Sequence, residues 1–191
     1  MTASQRTKLL LAEGIKEMTL RTSFSRIRVG ALCAKCGIDR RTFYYHFRDI
    51  YDLAAWMFNQ IIDDCIPDRD GVFRLSGVVM VLERMREDPM FYRRALSEDS
   101  QNALGRHIMA HTEQIYQREI CKRRGLETLS AEDSFAIQYH SIGSLVMIRR
   151  WLFNDCPISS AELVRMLALS MPPILREIYE LDENEGGNCS G

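Results

Sequence analysis

Residues 36–49 read CGIDRRTFYYHFRD. Two arginines, Arg40 and Arg41, precede Thr42. Phe43, Tyr44, Tyr45 and Phe47 then crowd around His46. Gly37 stands where a helix needs a left-handed residue in order to stop. Asp39 offers its side chain as the N-cap of a new helix. The stretch therefore reads as the end of one helix, a tight turn and a second short helix, which is a helix-turn-helix. On a wheel for residues 40–47, Phe43 and Phe47 are four apart and share a face. Arg40, Arg41 and Tyr44 lie on another face, which Arg48 continues. The phenylalanines are expected to dock inward. The arginines and Tyr44 are expected to point out from the N-terminal end of the helix, the part of a recognition helix that meets base edges in the DNA major groove.

The residue types fit that role. An arginine can bond guanine O6 and N7 together, a contact worth about 1–3 kcal/mol of discrimination. Thr42, Tyr44 and His46 carry short donors suited to phosphate oxygens, which set register without reading sequence. Tyr45 adds a further hydroxyl. Lys35, Arg26, Arg28 and Arg48 surround the face and would release counterions on binding a polyanion. Taken singly, the arginines would read as a solvated face and the rings as core. Together with the Gly37 turn and the Asp39 cap they point to DNA.

Charge supports the same reading. Up to Arg48 the chain has ten Lys/Arg and three acids, or +7, so a net charge of −1 leaves −8 on the remainder. A basic head on an acidic body suggests that only the head binds a polyanion. The 191 residues are 46% hydrophobic and 27% charged, as in ordinary folded domains. No apolar run is long enough for a membrane span. The N-terminus does not read as a secretory signal, so a cytoplasmic location is expected.

Helical periodicity dominates the rest, and strand alternation is nearly absent. Helices are expected at about 4–20, 29–35, 40–47, 50–65, 71–86, 89–97, 100–124, 131–154 and 159–180. Leu11, Ile15 and Met18 form the inner face of the first. Asp49 can cap the fourth. The stretch PDRDG at 67–71 is a breaker. Pro172 and Pro173 are expected to kink the last helix. The fold class is therefore all-α. A helix-turn-helix domain at 1–48 is joined by the fourth helix to a helical body at 49–182, and an acidic, glycine-rich tail at 183–191 is expected to be disordered.

The six cysteines, at 33, 36, 65, 121, 156 and 189, are scattered. Cys33 and Cys36 form a lone C-x-x-C. Without a second pair they read as small apolar residues on a buried helix face rather than a zinc site. His107 and His111 are four apart and could hold a metal with His140 or Glu113, but the zinc-protease pattern H-E-x-x-H is missing. No metal or cofactor is expected, and the chain is not expected to be an enzyme.

Residues about 7–53 resemble the DNA-binding domain of the tetracycline-repressor (TetR) family of bacterial regulators. The likeness rests on Leu11, Ile15 and Met18, on Phe24, on Ile27-Arg28-Val29, on Leu32-Cys33 and Cys36-Gly37-Ile38, and above all on Thr42-Phe43-Tyr44-Tyr45-His46-Phe47. RTFYYHFRDIYDL is close to the branch resembling regulators of dihydroxyacetone kinase. The resemblance implies an all-helical homodimer on a palindromic operator. DNA contacts would fall to Arg28, Arg40, Arg41, Thr42, Tyr44 and His46. The family usually has Ser or Thr where Arg28 stands and a phosphate-binding Lys where Ile50 stands.

For the body, the resemblance implies an effector pocket among the middle helices and pairing of the last two long helices across the dimer. Pocket candidates by fold position are Trp56, Phe91, Tyr92, His107, His111 and Tyr139. Dimer-face candidates are Tyr139, Ile142, Val146, Leu163, Met166, Leu167 and Ile174, from two broad apolar stripes. The leading expectation is a dimeric, sequence-specific DNA-binding regulator, a repressor controlled by an effector. An adaptor without DNA binding, or an activator controlled by a protein partner, stays open. A metal-dependent enzyme around His107 and His111 lacks a convincing acid/base pair.

Overall fold

The computed structural model describes residues 2–66, 72–97 and 103–180. Its helices are α1 (Ala3–Thr19), α2 (Val29–Cys36), α3 (Arg40–His46), α4 (Ile50–Cys65), α5 (Leu75–Glu87), α6 (Pro89–Ala95), α7 (Ala103–Arg124), α8 (Ala131–Phe153), α9 (Ser160–Leu169) and α10 (Pro173–Arg176). A 3-10 turn, Phe24–Arg26, lies between α1 and α2. The all-α expectation holds. The helix expected from 71 begins only at Leu75, because Phe73–Arg74 are extended; the breaker at 67–71, the start expected at 100 and the tail at 183–191 fall outside the described residues.

Residues 1–60 and 85–110 form one compact unit; residues 61–84 and 111–191 form another. In the first, α1 opens with a capping box: the Gln5 N–H donates to Thr2 Oγ1 and the Thr2 N–H to Gln5 Oε1. Its inner face buries Leu11, Ala12, Gly14, Ile15 and Thr19. Met18, expected on that face, is only partly buried. Cys33 is buried in α2, and the Cys36 thiol reaches back to the Leu10 carbonyl at 3.6 Å. Both behave as small packing residues, and burial pushes both thiols up from their usual pKa. The α6 residue Phe91 meets Phe24 edge-on, and Lys16 pairs with Asp88 at 2.6 Å. The core beneath the first helices is thus completed by a segment distant in sequence.

The turn that decides the fold forms as its residues require. Gly37 has φ +65°. The Ile38 N–H bonds the Cys33 carbonyl at 3.0 Å, closing α2. Asp39 Oδ1 then accepts from the Arg41 N–H at 2.7 Å and caps α3. Asp49 caps α4 in the same way, accepting from the Tyr51 and Asp52 N–H groups.

The second unit departs from expectation at its end. A single kinked helix over 159–180 does not form. Instead α9 stops at Leu169, α10 is one turn, and Tyr179–Glu180 (β2) pairs parallel with Phe73–Arg74 (β1). Two adjacent prolines supply no N–H and block the next turn. The carbonyls freed by the break find Arg176, which donates to Met171 O and Leu169 O. The strand pair is held by a buried polar contact: the Tyr116 and Tyr179 hydroxyls lie 2.9 Å apart. Outside it, Arg124 forks onto the Glu177 carboxylate at 2.7 and 3.0 Å, and Arg123 donates to the Glu177 carbonyl. The basic last turn of α7 therefore anchors the C-terminal segment as well as suiting its own helix dipole.

Two stability outcomes follow from these contacts. Gly37→Ala forces a Cβ into the left-handed region and should cost about 1–2 kcal/mol in a denaturant melt. Tyr179→Phe leaves the buried Tyr116 hydroxyl unmatched and should cost about 1–3 kcal/mol; an unchanged midpoint in the same melt would refute that assignment.

Candidate nucleic-acid interface

Helix α3 divides into two faces as its sequence demands. Phe43 is 0% exposed and Phe47 4%. Arg40, Arg41, Tyr44, Tyr45 and Arg48 are exposed, and Thr42 and His46 are half-buried. The Tyr44 ring stands edge-on to Phe43 at 5.5 Å, which steers its hydroxyl off the core. Tyr45, at 83% exposure, touches only the edge of His46 among the rings. Burial first, and the nearby Lys8 cation second, hold the His46 imidazole below its usual pKa.

Neither Arg40 nor Arg41 has an ion-pair partner among the described residues. Their positions differ, however. A Cβ on Gly30 would collide with the Arg40 guanidinium, so that group rests over the first turn of α2. Gly30 is the feature that lets an exposed arginine lie there. The only sequence signal for it was a glycine inside a short helix, and it was missed.

The surrounding cations are unequal. Lys35 pairs with Glu17 at 2.5 Å, and Arg48 with Asp52 at 3.5 Å, so two of the charges expected to face a polyanion are already matched. Arg26 and Arg28 have no ion pair among the described residues. Arg28 occupies the N-cap of α2 but its side chain makes no capping bond. Ile50 is 6% exposed and belongs to the core.

The candidate pocket residues are divided between the two compact units. Phe91 and Tyr92 are core residues of the first unit, edge-on to each other. Trp56 stacks at a tilt on Phe47. His107 lies 3.2 Å from the Asn59 amide. In the second unit His111 lies 3.3 Å from Asp63, and Tyr139 is 73% exposed on the outer face of α8. An open depression of about 570 Å³ in the second unit is lined instead by Gln114, Gln117, Arg118, Cys121, Thr128 and Ser134, among others. Buried His140 lies beside Ser144, and Glu113 carries a carboxyl raised by burial. No group of three His, Cys, Asp or Glu among the described residues is placed to hold a metal.

The dimer-face candidates separate more cleanly. Tyr139, Ile142, Val146 and Met166 are exposed, and Leu167 is half-buried. Leu163 and Ile174 are buried in the chain's own core. Phe135, stacked on Tyr139 at 6.3 Å, and Met147 extend the exposed stripe.

Comparison with known proteins bears on the fold and the family. The family model TetR_C_8, the transcriptional regulator C-terminal region, matches residues 75–172. The HTH-type dhaKLM operon transcriptional activator DhaS of Lactococcus lactis subsp. lactis (strain IL1403) is 24% identical over 89 residues, 46% of this chain. The match spans 48% of that curated relative's length. Among solved structures, the dihydroxyacetone kinase operon activator DhaS superposes with a TM-score of 0.60 at 18% identity, covering 90% of this chain and 96% of that one. A TetR transcriptional regulator from Rhodococcus sp. RHA1 gives 0.57 at 15%, covering 94% and 100%. The fatty acid degradation regulator FadR from Bacillus halodurans gives 0.53 at 12%, covering 91% and 97%. These structures share the fold. With the family match extending over half of its length, the chain belongs to the TetR family of transcriptional regulators.

Proposed function

We propose that this regulator is a cytoplasmic homodimer that binds a palindromic operator through α3 and is switched by an effector in its body. The observation that carries the reading is the pair Arg40 and Arg41: exposed, without carboxylate partners among the described residues, on a helix anchored from behind by two buried phenylalanines. Arg40 and Arg41 read bases. Arg28, Thr42, Tyr44, Tyr45 and His46 set register on phosphates, with Arg48 at the rim, its charge shared with Asp52. Two copies related by a two-fold axis place two α3 helices on two half-sites. The exposed stripe of Phe135, Tyr139, Ile142 and Val146 on α8, with Met166 on α9, is the surface that brings them together.

Switching requires an effector that binds one spacing of the recognition helices better than the other. Helix α4 is the element to carry it, because its residues enter both compact units. In the simplest form the protein is a repressor released by a small ligand. A second reading is favoured by the relative from Lactococcus, which is named as an activator. In it the body answers to a protein partner and binding turns transcription on. An adaptor role without DNA binding draws on the uncapped Arg28 and the buried Ile50.

The test is a fluorescence-anisotropy titration with duplex from the region flanking the gene. Arg40→Ala or Arg41→Ala should cut the preference for operator over unrelated DNA by about 1–3 kcal/mol, or roughly 5- to 150-fold, for each half-site. His46→Ala should weaken both alike. Absence of binding at low salt would favour the adaptor. Ile142→Arg should convert the dimer to monomers in analytical ultracentrifugation and abolish tight operator binding; a dimer that persists would place the interface elsewhere.

A further inference from the structure

The Lys8 ammonium stands apart from the other cations of its unit. It lies 5.7 Å from the centroid of Phe47 and 5.6 Å from that of Trp56. Lys16 and Lys35 are matched by carboxylates, but Lys8 has no carboxylate partner among the described residues. Two ring faces attract a cation by about 0.5–1 kcal/mol each at exposed sites, yet they accept none of its three hydrogen bonds in the ordinary sense. Lys8 is half-buried, and its ammonium lies against two rings and has no carboxylate partner among the described residues.

Its neighbours say which anion. A chain of ring contacts runs from exposed Tyr45 to His46 at 5.0 Å, on to Phe47 at 6.3 Å and to Trp56 at 5.8 Å. Lys8 covers the last two rings and its charge is felt by His46. The ammonium thus sits beside the C-terminal end of α3, on the same helix whose exposed face carries Arg41, Tyr44 and Tyr45. We infer that Lys8, reaching in from α1, clasps a DNA backbone phosphate together with His46. The pair fixes the far end of α3 on the duplex while the arginines at its near end read bases. The ring contacts hold the Lys8 ammonium in place, so less side-chain freedom is lost on binding.

This inference rests on the DNA-binding reading, and the experiment separates the two. Full-length wild type, Lys8→Met and Lys8→Arg are titrated with operator and with unrelated duplex between about 50 and 200 mM salt. Methionine keeps a long apolar stem over the rings and removes only the charge. Lys8→Met should weaken both duplexes by the same factor, and the magnitude of its log–log salt slope should fall by about 1.8, or about 0.9 for each subunit of the dimer. Lys8→Arg should retain the slope. His46→Ala should cost less in the Lys8→Met background than in wild type, as expected for two groups sharing one phosphate. A folded Lys8→Met protein with an unchanged salt slope overturns the assignment while leaving DNA binding intact. Should Lys8→Met fail to fold, Lys8→Gln is read by the same criterion. Wild type that binds no duplex at low salt overturns the DNA-binding reading and this inference with it.

Discussion

The burial of Phe43 and Phe47 is the interaction on which the functional surface depends. α3 is a helix of seven residues, too short to persist on propensity alone. Two phenylalanines removed from water contribute about 1.5–3 kcal/mol each and hold it. Because they are four residues apart, their burial also fixes the rotation of the helix about its axis. Arg41, Tyr44 and Tyr45 are exposed as a consequence. The left-handed Gly37 and the Asp39 cap set where the helix begins, and the rings set which way it faces.

Charge in the first unit is sorted by that packing. The head carries an excess of positive charge, but the excess is not spread evenly over its surface. Glu17, Asp88 and Asp52 draw off Lys35, Lys16 and Arg48. Among the cations without carboxylates, Arg40 lies over the first turn of α2 and Lys8 over the Phe47 and Trp56 rings. A net count therefore overstates the number of charges available to a polyanion, and the position of each carboxylate decides which ones remain.

The second unit uses a different device. Its last segment is secured by a two-residue strand pair, a buried tyrosine–tyrosine hydrogen bond and a forked arginine–carboxylate pair. Leu163 and Ile174 are buried in this unit, while Phe135, Tyr139, Ile142 and Val146 on α8 are exposed.

The sequence by itself determined the helices of the first unit up to α4, the turn at Gly37, the caps at Asp39 and Asp49 and the two faces of α3. These depend on spacing and on residue chemistry within a few positions of one another, which a linear reading can see. The resemblance carried by residues 42–47 was likewise legible, since the motif is contiguous. What only the tertiary structure decided involves residues far apart in the chain. Tyr116 meets Tyr179, Phe73 pairs with Tyr179, Arg124 holds Glu177, and Lys8 covers Trp56. No periodicity announces such pairs, because each depends on where two elements come to rest. The six pocket candidates rest on fold position for the same reason: a helix pattern tells which side of a helix is apolar, but not which neighbour that side will meet.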